Sequence, residues 1–171
     1  MQSQTPTHEE EVANTAAYDL LVTRLDCLRP AMRNAVPHEM LGHSAFADGS
    51  FPIWWQWQPG SKAFISEAKP PAFVRFSNHP SKTYQGTLRG HGSVQCFGKE
   101  RQDVAEALRD VVMGAFAEGE VVSINGLDVT VREVEAMGAF PVNGIFSIPV
   151  YISWSVSVPG SVTEVMAGPV S

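Results

Sequence analysis

The chain is 171 residues long (18.6 kDa), with 44% apolar, 9% aromatic and 18% charged residues. That length fits one domain with a real core, and that apolar content excludes a disordered protein. Twelve basic against 18 acidic residues give a net charge of −6, which argues against a protein that grips nucleic acid through a cationic face. No run approaches the ~20 apolar residues of a membrane span.

Thr7 followed by Glu10 is a capping-box pattern, and Glu9, Glu10 and Glu11 put negative charge where a helix dipole favours it. Ala17, Leu21, Leu25, Leu28 and Met32 recur at helical spacing. The expectation is a helix from about His8 to Leu28, ended or kinked by Pro30. Residues 1–7 read as a tail, with no basic and apolar run of a secretory signal.

Residues 37–69 read as an irregular insertion, rich in Pro and Gly. Within it, Trp54, Trp55 and Trp57 lie in a run that suits a short strand. Three uses of this cluster stay open: a core strand, a subunit or partner contact, or a platform for a stacked base or sugar.

Ala72–Ser77 then reads as a strand, Asn78–Tyr84 as a polar loop and Gly86–Phe97 as a second strand. Even spacing puts Leu88, Val94 and Cys96 on one face, and Arg89, His91, Gln95 and Phe97 on the other. A helix is expected over about Arg101–Ala117, ended by Gly119, because Val104, Leu108, Val111, Val112 and Ala115 share one side. Val121–Ile124 and Leu127–Val131 flank an Asn-Gly turn, and the alternation breaks at Arg132-Glu133 as a bulge would. Asn143-Gly144 marks another turn.

Phe146, Ile148, Val150, Ile152, Trp154, Val156 and Val158 line one face of a last strand. Pro149 inside it predicts an edge strand, or a bulge at that point. Residues 159–171 read as a second tail. The expected class is α+β: an antiparallel or mixed sheet packed on one face by two helices, order α-β-β-α-β-β with an additional short strand, one domain over residues 8–158.

Charge is unevenly spread. Lys62, Lys69, Arg75, Lys82, Arg89 and Lys99 face only Glu67 in their stretch, whereas residues 100–135 hold nine acidic residues against Arg101, Arg109 and Arg132. Solvated surface is one reading; complementary edges that meet head to tail in an assembly are the other.

Signals for chemistry are weak. His38 and His43 are five apart, about 140° around a helix, so they miss the shared face of a zinc motif. His79 and His91 flank one hairpin without an obvious third ligand. Cys96 sits at an alternating apolar position, where a thiol is usually buried and inert. The glycine-rich stretch Gly86–Gly92 lies inside an expected strand and not before a helix, so it reads as a bend or as room for a neighbouring backbone. Glu133 and Glu135 share a strand face and read as solvated charge more readily than as an acid–base pair. The two cysteines, Cys27 and Cys96, make no disulfide framework and fit a reducing compartment. No catalytic residue, cofactor or metal is expected.

Several stretches together resemble one family: the helix His8–Met32, Pro70–Phe76, Leu88–Phe97, the helix Gln102–Phe116, Leu127–Val134 and Ile145–Val156. Their order, and phrases such as V-Q-C-F-G-K-E-R-Q-D-V-A-E-A-L-R-D and P-V-Y-I-S-W-S-V, are similar to those of the tail terminator (tail completion) proteins of long-tailed bacteriophages and related gene transfer particles. The insertion and the long ends depart from that pattern. The resemblance implies a non-enzymatic α+β subunit of a hexameric ring, built in a bacterial host and located at the tail–neck junction of a virion. Such a ring caps the tail tube, ends its polymerisation and meets the head-completion proteins, while DNA passes through. Expected contacts with neighbouring subunits or rings are Trp54, Trp55, Trp57, Asn78, His79, Lys82, Tyr84, Arg89 and Tyr151. The alternatives are another head–tail neck component, or a small α+β ligand-binding or cysteine-dependent enzyme.

Overall fold

The computed structural model describes residues 7–55 and 70–158. Helix α1 spans His8–Cys27 and opens on the expected capping box: Thr7 Oγ1 accepts from the Glu10 amide, and the Glu10 carboxylate accepts from the Thr7 amide, both at 3.1 Å. The chain breaks at Leu28, and α2 (Arg29–Ala35) carries Pro30 in its first turn, where a missing amide costs nothing. Two 3₁₀ turns lead to strand β1 (Ile53–Trp55). Then follow β2 (Ala72–Tyr84), β3 (Thr87–Lys99), helix α3 (Gln102–Gly114), β4 (Val121–Ile124), β5 (Leu127–Ala136), β6 (Phe140–Val142) and β7 (Ile145–Ser157).

The sheet has seven strands in the order β1-β2-β3-β7-β5-β4, with β6 also on β7. All pairings are antiparallel except β1 with β2. The class is therefore mixed α+β, as expected, with a second short helix and more strands than the expected order held.

Three expectations are corrected. Asn78–Tyr84 is not a loop: β2 runs to Tyr84, and the reversal is made by Gln85 and Gly86, with φ of 50° and 76°. Two consecutive left-handed residues make the tight turn whose twist matches a hairpin. Pro80 falls at the register irregularity of β2 between Pro80 and Thr83. Second, β7 is not an edge. It pairs with β3 along its whole length and with β5 and β6 on its other side. The Pro149 carbonyl accepts from the Met137 amide at 2.9 Å, in the link between β5 and β6. A strand residue's N and O point the same way, so the amide that Pro149 lacks falls at the gap between those two strands. Third, α3 ends at Gly114, and Gly119 serves instead in the turn that enters β4, at φ 88°. The bulge at Arg132 and the Asn-Gly turns stand as read.

Both helices cover one sheet face. Alanines 13, 16 and 17 let α1 approach closely, and Leu21 and Leu25 are fully buried; each such leucine contributes about 1.5–3 kcal/mol. The facing strand β3 carries glycine at positions 90, 92 and 98 on that side. A Cβ at Gly92 would stand 2.8 Å from Leu21 Cδ1. One at Gly98 would stand 2.3 Å from the Arg101 carbonyl, at the start of α3. One at Gly90 would stand 2.5 Å from the Trp154 indole and 2.7 Å from the His79 carbonyl. The glycine-rich stretch is thus the seat of a tryptophan and a helix. Trp154, 1% exposed, donates its Nε1–H to Asn78 Oδ1 at 3.0 Å, and Asn78 Nδ2 donates to Asn14 Oδ1 at 2.9 Å. One partly buried polar chain so joins β7, β2 and α1.

Glu10 extends this clamp to the hairpin, because its carboxylate accepts from the Thr83 hydroxyl. That bond, with those from Thr7, holds the carboxyl below the ordinary glutamate range. Arg24 of α1 reaches Glu120 and the Ala115 carbonyl, and lies over the Phe116 ring at 5.2 Å.

Gly90→Ala is expected to lower the denaturant midpoint by the equivalent of about 1–3 kcal/mol, because both the indole and the backbone block the methyl. Gly114→Ala, with nothing within 4 Å of its Cβ position, is expected to be neutral or stabilising. Equal midpoints for the two variants in equilibrium unfolding contradict this packing.

Candidate interaction face

With α1 and α3 on the face that holds Val74, Val94 and Cys96, strand alternation sends the polar residues of four strands to the other face. Register arranges them in rows. Glu133 of β5 pairs with Ser153 of β7, Ser153 with His91 of β3, and His91 with His79 of β2. One step away lie Glu135, Tyr151, Ser93 and Ser77. On the other side Ser155 pairs with Arg89, and Arg132, displaced by the bulge, donates its Nε–H to Ser155 Oγ at 2.8 Å.

These rows form an open groove of about 530 Å³, walled by Arg89, His91, Arg132, Glu133, Glu135 and Tyr151. The His79 and His91 rings lie 5.0 Å apart, tilted by 31°, and Tyr151 meets His91 edge to face at 5.8 Å. His79 Nε2 and Ser77 Oγ are within hydrogen-bond distance at 3.0 Å. Partial burial, and then the neighbouring His79, lower the affinity of His91 for a proton, so at neutral pH it is an uncharged imidazole. Two arginines and two glutamates leave the groove walls close to neutral.

Of the residues expected to make contacts, Arg89 and Tyr151 line this groove, and His79 stands beside it, paired with His91. Tyr84 is 70% exposed at the hairpin end. Asn78 is corrected: its amide nitrogen and oxygen are both used inside the fold, which leaves it a structural role. The tryptophans part company, as alternation requires. Trp54 packs on Phe73 at 4.8 Å on the polar face, whereas Trp55 packs edge-on against Phe76 at 5.9 Å on the helix face, with Arg29 over its ring at 6.0 Å. Trp57 lies outside the described residues, and Lys82 is placed only as a position in β2. Arg132 was missed as a groove residue; the broken alternation at the bulge was its only signal.

Sheet order also sorts charge. Arg75, Arg89 and Lys99 belong to β2 and β3, whereas exposed Asp128, Glu133 and Glu135 outnumber Arg132 on β5, with Glu118 nearby. Acidic residues of α3 are partly met by Arg101 and Arg109, and Glu120 by Arg24. Adjacent strands stand about 4.8 Å apart, so the two gaps from β3 to β5 span about 10 Å. That is close to the ~8 Å screening length at physiological salt, and Arg89, Glu133 and Glu135 wall the same groove, so basic and acidic strands are only partly separated within one molecule.

Cys96 is fully buried on the helix face, and burial pushes its thiol far above the ordinary range. That is the reverse of what a nucleophile needs, and His91 points to the opposite face. His38 and His43 lie in successive turns instead of one helix, and His43 Nδ1 accepts from the Ala45 amide at 3.0 Å. Among the described residues no group of three or more metal-type ligands is assembled, and no helix is long and apolar enough to cross a membrane.

No protein-family model matches the chain, and no curated protein matches it. One solved structure, of a protein whose name states no function, is 16% identical with a TM-score of 0.52, over 81% of this chain and 95% of that one. It shows a shared fold and nothing more. A chain from the virion of a native gene transfer agent particle is 12% identical with a TM-score of 0.38, over 76% of this chain and 94% of that one. A superposition that loose carries no argument about this chain.

Native protein is expected to react through Cys27, which is exposed, and not through Cys96; denaturant should release the second thiol. A thiol count with a chromogenic disulfide measures this, and rapid native labelling of Cys96 contradicts its burial.

Proposed function

We propose that this chain is a structural subunit of a tail-bearing particle, a tail terminator that assembles into a closed ring. In this reading the ring caps the tail tube, stops its growth and offers a surface to head-completion proteins, while DNA passes through without being held. No catalytic step or cofactor is part of it.

The observation that carries the proposal is the sorting of charge across β7, basic residues on β2 and β3 and net acidic charge on β5, in a chain whose element order resembles that family. A ring needs a heterologous interface that closes. The basic residues of β2 and β3, and the acidic residues of β5 with Glu118 beside it, supply complementary halves of one. The driving force is not an unpaired β7, which lies mid-sheet. It resides in the two ends, where the strands are short: three residues in β1 and four in β4. Tyr84 and the groove face then remain for adjoining rings. An overall acidic chain also suits a conduit, because it lacks the counterion release that would hold DNA.

The test removes the chain from the particle. Particles assembled without it are expected to carry tubes of uncontrolled length and heads without tails. Complementation by the wild-type chain should restore both, and Asp128→Lys with Glu135→Lys, which inverts the acidic end, should not. Electron microscopy reads the tube lengths. Normal joined particles in the absence of the chain overturn the proposal.

A further inference from the structure

We propose that His79 and His91 form a two-point clamp for a divalent transition-metal ion such as Zn²⁺ or Ni²⁺ on the polar face of the sheet, with water completing the coordination. The inference does not depend on the ring reading.

Geometry carries it. An ion held about 2.0–2.1 Å from one nitrogen of each ring, at a ligand–metal–ligand angle between about 90° and 110°, puts the two ring centres about 4.5–5.2 Å apart. The observed separation is 5.0 Å. The two side chains come from directly paired positions on adjacent strands, so the backbone ladder fixes their spacing. Neither ring needs a new neighbour to reach the other.

The surroundings suit ligation. A ligating imidazole is normally oriented by a bond from its other nitrogen. The tautomer in which His79 Nε2–H donates to Ser77 Oγ leaves the lone pair on Nδ1 for the metal. Tyr151 braces the His91 ring from the side at 5.8 Å. His79 is exposed and His91 lines the open groove, so water reaches both rings. Arg89 and Arg132 oppose a dication there, and Glu133 and Glu135 offset them. Imidazole nitrogen selects zinc, nickel or copper over magnesium or calcium, which prefer oxygen ligands.

The test is calorimetric titration of the tag-free full chain with NiCl₂ and with ZnCl₂ at about pH 7.5, beside His79→Gln and His91→Gln. One ion is expected per chain in the wild type. Each substitution should weaken binding at least about tenfold, because the second nitrogen no longer acts at high effective concentration. Magnesium should give no heat. Circular dichroism checks that each variant is folded; if His91→Gln is not, the exposed His79→Gln decides. Equal affinity in the wild type and folded His79→Gln, or no binding in the wild type, overturns the proposal.

Discussion

The seat of Trp154 is the constraint on which the rest of the molecule depends. The indole lies on Gly90 of β3, where even a methyl group has no space, and its N–H is bound to Asn78, which is bound in turn to Asn14. A buried donor without an acceptor costs about 1–3 kcal/mol, so this chain of amides admits few alternatives. It fixes which residues of β2, β3 and β7 lie opposite one another, and it sets the first helix over them. A one-residue slip of β7 would turn its apolar row to water. Register and helix placement are thus one decision.

From that decision follow the two surfaces that give the molecule its proposed role. Once α1 and α3 occupy the glycine-bearing side, the histidines, the paired glutamates and the arginines have only the other side to occupy. Once β7 enters between β3 and β5, the basic and acidic strands are set on either side of it. The bulge at Arg132 puts Arg132 and Glu133 on the same face, so that a cation stands beside Ser155, while Glu133, which regular alternation from Val131 would have turned inward, stays on the polar side. Function, in this account, lies in surfaces, and the buried thiol of Cys96 belongs to the core that presents them.

Local chemistry in the sequence foretold local structure. Thr7 and Glu10 announce their helix, Asn125-Gly126 and Asn143-Gly144 announce their turns, and the period of two in the last strand announces its buried face. Two features misled because their meaning is set by distant partners. Asn78-His79-Pro80 has turn chemistry, yet Asn78 is used by Trp154 and Asn14, and the reversal falls to Gln85-Gly86, a pair with a weaker signature. Pro149 reads as an edge residue in isolation, but its nitrogen meets the gap where β5 gives way to β6. The groove was half legible: Arg89 and His91 share a face, as do Glu133 and Glu135. That the two pairs face one another across β7 depends on strand order, which no local pattern encodes.

The central claim is that copies of this chain close into a ring through the opposed ends of the sheet. Native mass spectrometry of the concentrated protein at low ionic strength, with tail tube protein supplied, measures this directly. The account predicts a single closed species of six copies that gives way to monomer as salt rises. A monomer at every concentration and salt, or open chains of no fixed number, contradicts it.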